Sequence, residues 1–483
     1  MPRPFRLVPF ALAALLAGCG GGDQAAGPPE IEENERQLGA EQHPQLLAEF
    51  GGAYEAPEAA YVARVGEKVA AQAGLARQCT FTLVNTDVVN AFAVPGCYIY
   101  VTRGLVGIIN SEAELASVLA HEVGHIVGDH SERQQKRSLW RSLGVLAVGW
   151  ITGSEQLTRI AGQAAELFTL RYSRKQEHES DDLGIRYLKA AGYDPYAAAD
   201  MLGALARHER YLSQVSGRDE ASAIPEWART HPLTENRIER SRAAAKASGV
   251  APDALPDRAE PFLREVDGLL YGDDPQQGFV LGRRFLHPVM RIGFEAPPGF
   301  TLTNSPAAVL IGGPDGTRGE FGGGRLPAGG LEAYASALAE RLLQGQPAQA
   351  GPATRIRTGG VEGLLLPLLV RSPEGDVQLS IAAYDAGGGD AYHFIMLSRP
   401  EAAAALDPLF ASLRRLTPEQ AAGLRPRQIR TVALTGRETL ESLAGAMAGE
   451  HPREHFLMLN ARTADQPLGA GELVKIVAFR SSV

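Results

Sequence analysis

The spacing of hydrophobic and polar positions predicts mostly helices over residues 31–250, with one β-rich interruption. The stretch 57–74 has Pro57 at a first-turn position and ends at Gly74, as helices commonly do. Residues 79–101 are rich in β-branched and aromatic residues and contain turn-forming breaks, so they predict two or three short strands. The first half of the chain should therefore be a helical body around a small sheet.

Four helices are predicted after this sheet. The first, SEAELASVLAHEVGHIVG, begins at Ser111, and Glu114 follows it at the spacing of a capping box. The others are predicted in EHESDDLGIRYLKAAG, DPYAAADMLGALARHERYL and THPLTENRIERSRAAAKASG. The first of the four carries the most informative chemistry, because it contains two histidines four residues apart.

The sequence pattern changes after about residue 255. Short β-like runs and glycine-rich loops surround one clear helix, LEAYASALAERLL, which predicts an α+β accessory domain over residues 256–420. The last segment, 428–483, has the order strand, helix, helix, strand and predicts a small third module. The fold class expected for the chain is α+β, with a mainly helical first domain over residues 31–255.

The N-terminal residues have the features of an export signal. A short basic start is followed by an apolar stretch that is too short for a stable membrane span. Residues 16–19, LAGC, resemble a bacterial lipobox, which predicts cleavage after residue 18 and lipidation of Cys19; a plain secretory signal is the alternative. Residues 19–30 would form a flexible tether. No aspartate follows Cys19, which favours the outer membrane as the anchoring site.

The charge balance excludes one class of partner. The 47 basic and 56 acidic residues give a net charge of −9, and removing the signal takes away two arginines and no acid, which leaves about −11. No nucleic-acid partner is expected, because the chain has no overall basic field. Cys79 and Cys97 are then the remaining cysteines, and a disulfide between them is predicted in an oxidising compartment.

His121, Glu122 and His125 form an H-E-x-x-H motif on the predicted helix. Histidines four residues apart share one helical face, so two ring nitrogens can reach one zinc ion at ~2.0–2.1 Å. Glu122 would stand beside an open coordination position, where it can take a proton from water and pass it to a leaving amine. Because this motif also arises by chance, the interpretation requires a third ligand.

Two routes to a third ligand are visible. The metzincin pattern would place a histidine at position 131, but that position is a serine and His130 is one residue short. On a continuing helix His130 would point away from the two histidines, so it is predicted to be a surface residue. The second route is Glu177, which could bind zinc while Asp181 accepts the outer N–H of a histidine ligand. A solvated acidic face has the same spacing.

Four motifs in one order, over about residues 40–245, resemble the M48 family of zinc metallopeptidases, in its periplasmic branch. They are VNAFAVPGCYIYVTRGL, HEVGH, YSRKQEHESDDLG and THPLTENRIER. The resemblance implies a zincin-type core with one zinc ion bound by His121, His125 and Glu177. It also implies Glu122 as the catalytic base and Asp181 as the partner of a histidine ligand.

The resemblance implies roles for further residues. Glu177, rather than Glu179, matches the first acid of the family's E-x-x-x-D pattern. His231, which would otherwise be read as an exposed histidine before a helix, matches a family position near the metal. It is expected to fill the coordination site that water needs and to swing away on activation. Arg237 is expected to pair with the developing oxyanion, and family members usually have glycine where this chain has Cys97.

Residues 90–96, NAFAVPG, are expected to form a strand beside the metal cleft. Asn90, Ala91, Phe92 and Ala93 could pair with an extended peptide, whose backbone supplies most of the hydrogen bonds, so specificity should be loose. Pro95 limits pairing beyond that point.

These expectations together describe a lipid-anchored, periplasmic zinc endopeptidase that acts on misfolded or stalled envelope proteins. Its expected partners are unfolded or misassembled envelope polypeptides and, through the anchor, the membrane. The last segment resembles a LysM-like module, which implies contact with peptidoglycan; a plain packing module is the alternative. A chaperone-like or scaffold lipoprotein with little proteolysis is the alternative of a different class, and the intact Glu122 favours the enzyme. A peptidoglycan amidase fits less well, because an edge strand suits polypeptide.

Overall fold

The computed structural model describes residues 30–130, 172–216, 231, 235–343, 345–371 and 375–480. The predicted signal segment, the predicted lipidation site Cys19 and the predicted tether up to residue 29 lie outside these residues. Within the described ranges, no helix is long and apolar enough to cross a membrane.

Helices and a small sheet form the first part of the structure, as the sequence pattern predicts. The helices are α1 (Glu33–Glu49), α2 (Pro57–Gln72), α3 (Arg103–Ile108), α4 (Glu112–Val127), α5 (Arg174–Ala190), α6 (Ala197–Ser216) and α7 (Glu235–Ala247). The strands are β1 (Thr80–Val84), β2 (Ala91–Val94) and β3 (Tyr98–Thr102). Strand β3 lies between a parallel β1 and an antiparallel β2, so β2 is at one edge of this sheet.

Helix α4 is buried along most of its length. It begins as predicted, because the Ser111 hydroxyl accepts a hydrogen bond from the Glu114 N–H at 3.0 Å. The Glu114 carboxylate accepts from the Asn110 N–H at 3.0 Å, and not from that of Ser111, so only half of the predicted capping box forms. Helices α2, α5 and α6 all pack against α4. This surrounding structure keeps the H-E-x-x-H segment away from bulk water.

A large antiparallel sheet dominates the accessory region. Its strands are β8 (Thr301–Asn304), β9 (Val309–Gly312), β10 (Arg318–Arg325), β11 (Ala348–Ala350), β12 (Thr354–Thr358), β13 (Val361–Val370), β14 (Val377–Gly387) and β15 (Asp390–Ser398). Their order is β11-β13-β14-β15-β10-β9-β8, with β12 also beside β13. Successive residues of β14 enter two different cores, Ile381 on the side of helix α9 (Gly330–Leu343) and Ala382 on the other side. The sheet is therefore covered on both faces.

The second core lies between the large sheet and a smaller one. The smaller sheet has the order β16-β7-β6-β5, and its strands are β5 (Phe279–Leu281), β6 (Arg284–His287), β7 (Ile292–Glu295) and β16 (Arg414–Arg415). Phe294 of β7 packs against Phe321 and Phe394 of the large sheet, with ring centroids 4.8 Å and 5.0 Å away. Short helices α10 (Asp407–Phe410) and α11 (Pro418–Ala422) follow.

The last part has the predicted order strand, helix, helix, strand: β17 (Arg427–Ala433), α12 (Leu440–Gly445), α13 (Pro452–Leu459) and β18 (Leu473–Phe479). Strand β17 pairs with β18 and with β4 (Leu270–Tyr271), which follows α8 (Ala259–Glu265). Phe262 of α8 and Val477 of β18 share one hydrophobic core with Leu119 of α4. Residues 259–271, which the sequence assigns to the accessory domain, thus pack with the first body and the last module. The predicted domain limits themselves stay predictions.

The predicted disulfide between Cys79 and Cys97 is confirmed. The two Cα atoms are 4.6 Å apart, within the range that a disulfide can bridge. Cys97 has a φ of 60°, in the left-handed region that favours glycine. Closing an 18-residue separation can stabilise a fold by roughly 3 kcal/mol, which exceeds the roughly 1–2 kcal/mol cost of that backbone conformation.

Candidate metal centre

Helix α4 carries His121 and His125 one turn apart, with both residues buried. Their Nε2 atoms are 3.0 Å apart. The Nδ1 atoms are held from the opposite side of each ring, that of His121 by Asp181 Oδ1 at 3.0 Å and that of His125 by His130 Nδ1 at 2.8 Å. Both Nε2 atoms are therefore directed at one point, as the rings of two metal ligands are.

Helix α5 brings the Glu177 carboxylate to the same point. The helix begins at a capping box between Ser173 and Gln176, which places Glu177 in its first turn. Glu177 Oε2 lies 3.6 Å from His121 Nε2, and Glu177 Oε1 lies 3.5 Å from His125 Nε2.

Two glycines allow the close approach of α4 and α5. A β-carbon on Gly124 of α4 would lie 3.0 Å from Ser180 Cα, and one on Gly184 of α5 would lie 3.3 Å from the His121 nitrogen. Any larger residue at these positions would push the helices apart and move the carboxylate away from the histidines.

His231 supplies a fourth donor atom. Its Nδ1 lies 3.0 Å from Glu177 Oε1 and 3.3 Å from His121 Nε2. One donor atom from each of His121, His125, Glu177 and His231 lies within 4.8 Å of all the others. Four ligands at ~2.0–2.1 Å from a tetrahedral ion are about 3.3 Å from one another. The observed separations therefore fit one metal ion with three nitrogen ligands and one oxygen ligand.

The prediction that His130 is a surface residue is wrong. Helix α4 ends at Val127, and Asp129 adopts a φ of 49°, which reverses the chain. His130 is consequently fully buried, and besides His125 it lies near Ser180 Oγ at 3.3 Å and Glu179 at 3.4 Å. The expectation assumed that the helix continued, and the left-handed residue after its end returns the side chain to the histidines.

Arg237 connects the two carboxylates of α5. Its Nε and Nη2 donate to the two Asp181 carboxylate oxygens at 2.8 Å and 2.7 Å, and its Nη1 lies 2.8 Å from Glu177 Oε2. The guanidinium is 1% exposed, so these contacts hold both acids in place with little competition from water. The predicted pairing of Arg237 with an oxyanion stays a prediction, and the geometry favours a positioning role.

Glu122 stands apart from the donor cluster. It is completely buried, and neither carboxylate oxygen has a hydrogen-bond partner among the described residues. The His231 ring lies beside it, with Nε2 3.7 Å from Glu122 Oε1. Burial raises the pKa of Glu122, which makes its carboxylate a better proton acceptor than that of an exposed glutamate.

The charges around the centre keep its acids ionised. Burial would raise the pKa of Glu177, but the positive charges of His231 and Arg237 outweigh it and lower the pKa to about 2. Burial likewise opposes ionisation of Asp181, and the Arg237 guanidinium still holds the pKa of Asp181 well below its usual range. The site therefore offers a carboxylate, and not a carboxylic acid, to a metal ion.

The predicted substrate strand lies next to this centre, since β2 packs against α4. Asn90 and Ala91 are fully buried, and Phe92 stacks on Tyr100 at 4.8 Å. The side chains of Asn90, Ala91 and Ala93 are thus buried, and Phe92 is half-buried. The main chain of β2 has only β3 as a strand neighbour in the described part. Pairing of residues 90–93 with a peptide stays a prediction.

Sequence reasoning missed one aromatic residue at the centre. The Tyr172 ring stacks on His125 with centroids 3.9 Å apart and lies 5.4 Å from the His231 ring. Its position just before α5, within the motif that carries Glu177, was the available signal.

An H-E-x-x-H helix, a carboxylate from the next helix and a buried glutamate define a metallopeptidase. Residues 56–245 match the model of peptidase family M48, and the chain belongs to this family. The Yersinia pestis beta-barrel assembly-enhancing protease is 32% identical over 204 residues, 40% of either chain. The Arabidopsis thaliana mitochondrial metalloendopeptidase OMA1 is 32% identical over 155 residues, 32% of this chain and 29% of that protein. The Pyrococcus abyssi protease HtpX homolog is 30% identical over 229 residues, 41% of this chain and 76% of that protein.

The matched region covers only part of the first of these relatives: the chain spans 40% of the length of the Yersinia protein. The match to the model of peptidase family M48 ends at residue 245. The match therefore covers the helical body with its metal centre. The accessory region and the last module lie outside the matched range.

Proposed function

We propose that this protein is a zinc-dependent endopeptidase of the bacterial cell envelope, which hydrolyses misfolded or stalled envelope proteins. The observation that carries the proposal is the convergence of four buried donor atoms from His121, His125, Glu177 and His231 beside the buried carboxylate of Glu122. Three imidazoles and one carboxylate suit zinc in tetrahedral geometry.

Each residue of the site would have a separate role in peptide hydrolysis. A bound zinc ion would supply the Lewis acidity that polarises a peptide carbonyl. Glu122 would take a proton from the attacking water and deliver it to the nitrogen of the leaving amine. Asp181 and His130 would orient the two histidines, and Arg237 would fix Glu177. His231 would occupy a position that has to open before water and peptide can both enter.

A polypeptide substrate is supported by the edge position of β2. An extended peptide beside β2 would bond mainly to main-chain groups, and the buried side chain of Asn90 would contact it little. Selection would then depend on whether a substrate segment is unfolded. The name of the Yersinia relative, a beta-barrel assembly-enhancing protease, supports envelope proteins as the substrate class.

The proposed location is the periplasm, with Cys19 as a lipid anchor in the outer membrane. The signal-like start and the lipobox support this location, as does the Cys79–Cys97 disulfide, because disulfides persist in oxidising compartments. Peptidoglycan contact through the last module is a further part of the proposal.

The test is digestion of an unfolded outer-membrane β-barrel protein by the purified full-length chain. We expect cleavage of the unfolded form, little cleavage of the folded form, inhibition by 1,10-phenanthroline and restoration by added zinc. Cleavage that survives the chelator would exclude a metal-dependent mechanism. Binding of the unfolded substrate without any cleavage would instead support the scaffold alternative.

A further inference from the structure

The accessory region contains a cavity of about 410 Å³ between helix α9 and strand β10. Tyr334, Leu338 and Arg341 of α9 line it on one side, and Gly324 and Arg325 of β10 with His393 of β15 line it on the other. None of these residues belongs to the metal centre, and the proposed endopeptidase function does not use them. The cavity therefore requires its own explanation.

Glycines in β10 keep polar atoms of this cavity uncovered. A β-carbon on Gly324 would lie 3.0 Å from the Tyr334 hydroxyl, and one on Gly322 would lie 3.1 Å from His393 Nε2. Both glycines are on the face of β10 that looks toward α9, since residues two apart in a strand share a face. Larger residues here would fill the space and cover the hydroxyl and the ring nitrogen.

The direction of the bond between Tyr334 and His393 depends on the tautomer of the histidine, and we take the tautomer in which the hydroxyl donates. The Tyr334 hydroxyl is 2.8 Å from His393 Nδ1 and makes no other hydrogen bond with the described residues. Donation by the hydroxyl to Nδ1 uses its proton, and it leaves the histidine proton on Nε2. Burial, followed by the charge of Arg341, lowers the pKa of His393 to about 4, so the ring is neutral at pH 7.

The Nε2 atom of His393 faces the open space next to Gly322, where a β-carbon would cover it. His393 is 5% exposed, and its Nε2 has no hydrogen-bond partner in the described part of the chain. An Nε2–H at this position can donate a hydrogen bond to an oxygen acceptor in the cavity.

The charged residues around the cavity determine which kind of oxygen-containing ligand fits. Arg325 is 2.8 Å from Asp390, which offsets its charge. Arg341 forms no ion pair with any described residue, and the acid whose charge interacts with it, Glu320, does not line the cavity. No acid is among the lining residues, so Arg341 gives the lining a positive charge. The Leu338 side chain adds an apolar wall. One cation, one neutral N–H donor and an apolar wall suit a singly charged ligand with an apolar group, because a phosphate dianion would leave charge uncompensated.

We propose that this cavity binds a carboxylate that is attached to a small apolar group. Arg341 pairs with the carboxylate, His393 Nε2–H donates to one of its oxygens, and the apolar group lies against Leu338. The carboxylate can belong to the C-terminus of a polypeptide or to a free small acid.

The test measures dissociation constants by saturation-transfer NMR on the full-length protein at pH 7. The probes are isovalerate, acetyl-Ala-Leu with a free carboxylate and the same peptide as its amide. We expect at least one acid to bind and the amide to bind at least tenfold more weakly than the peptide acid or not at all. Binding of the peptide acid identifies chain termini as a ligand source, and binding of isovalerate alone identifies free acids.

Variants assign the signal to the cavity. We expect Arg341→Glu and Gly324→Val to weaken acid binding at least tenfold, with casein cleavage unchanged. Arg399→Glu, at an exposed arginine outside the cavity, is the matched control and should bind as the native protein does. If Gly324→Val does not fold, Arg341→Glu decides alone. The proposal is overturned if neither acid binds, if the peptide acid and amide bind equally, or if Arg341→Glu binds like the control.

Discussion

Helix α4 has a buried group of charged residues toward each end, and the two groups differ in what holds them. Toward its C-terminal end lies the metal centre. Toward its N-terminal end, Glu114 faces the last module, where Lys475 is completely buried and donates to the carbonyl oxygens of Gly107 and Ile109 at 2.8 Å and 2.6 Å. We call Glu114, Lys475 and their neighbour Arg207 the interface cluster.

The difference lies in how burial is compensated. In the metal centre, ion-pair contacts lower the pKa of Glu177 to about 2. In the interface cluster, burial dominates: it raises the pKa of Glu114 to about 7 and lowers the pKa of Lys475 to about 7. Burial of a carboxylate alone therefore does not create a ligand site. Convergent donors and nearby cations do, because they keep the acid ionised.

The comparison predicts that a substitution toward the C-terminal end of α4 lowers the rate of cleavage more than it lowers stability. Glu122→Gln should reduce peptide cleavage by about 10²–10⁴-fold, because the amide cannot carry the proton. Metal content and the free energy of unfolding should change little. Cleavage assays with metal analysis check this, with Glu239→Gln, at an exposed residue of α7, as the control. Undiminished cleavage by Glu122→Gln would contradict the assignment.

A substitution in the interface cluster, near the N-terminal end of α4, should instead lower the free energy of unfolding. Lys475→Met leaves two buried carbonyl groups without their donor, at about 1–3 kcal/mol each. Urea unfolding should show this loss, whereas Lys246→Met, at an exposed lysine, should stay within about 0.5 kcal/mol of the native protein. An unchanged unfolding free energy for Lys475→Met would show that the last module is not part of the folded core.

Substitutions of His130 test whether a residue that contacts a metal ligand affects the affinity for zinc. His130→Phe keeps a ring in the space but removes the contact to His125 Nδ1, and we expect zinc affinity to fall about 10–100-fold. Competition with a chelator measures the affinity, and urea unfolding of the metal-free protein separates it from stability. His130→Asn, which can still accept a hydrogen bond, should recover part of the loss. Equal affinity in all three proteins would leave His130 as a packing residue.

His231→Ala sharpens the assignment of the fourth donor. If His231 closes the site, its removal should raise basal cleavage severalfold while zinc stays bound by the other three ligands. Cleavage of casein by zinc-loaded protein is the measurement. Unchanged or lower activity at full zinc occupancy would speak against a switch.

A smaller effect is expected from pH. The folded pKa of Glu114, about 7, lies above its ordinary value of 4.5, so the folded state holds a proton that the unfolded chain has lost. Native stability relative to Glu114→Gln should therefore fall as the pH rises from about 4.5 to about 7. Urea midpoints for both proteins at pH 5 and pH 7 give this difference, and parallel behaviour would exclude Glu114 as its source.

Much of the metal centre could be predicted because its signals are local. The spacing of His121 and His125 and that of Glu177 and Asp181 follow from the helical period. His130 was misplaced because its position depends on one left-handed residue after a helix end, which no periodicity reveals. The contact of Lys475 with α3 joins residues far apart in the sequence, and no local pattern encodes such a contact.

In the accessory region, too, local sequence patterns predicted the fold class but not the long-range packing. Its α+β character was visible in short β-like runs around one helix, but the assignment of residues 259–271 to a body depends on tertiary packing. Phe262 looks like any apolar residue of a short helix, and only its contact with the core of α4 shows where it belongs.

The hydrogen bonds of Lys475 also bear on how the molecule is made. They connect groups 368 and 366 residues apart, and a polypeptide is synthesised from its N-terminus. The helix with the H-E-x-x-H motif thus emerges long before the strand that completes its hydrophobic core. Contacts of such long range form slowly, because a large loop has to close first. We expect a newly exported chain to be without peptidase activity until its final strand is in place, which would protect other envelope polypeptides from it.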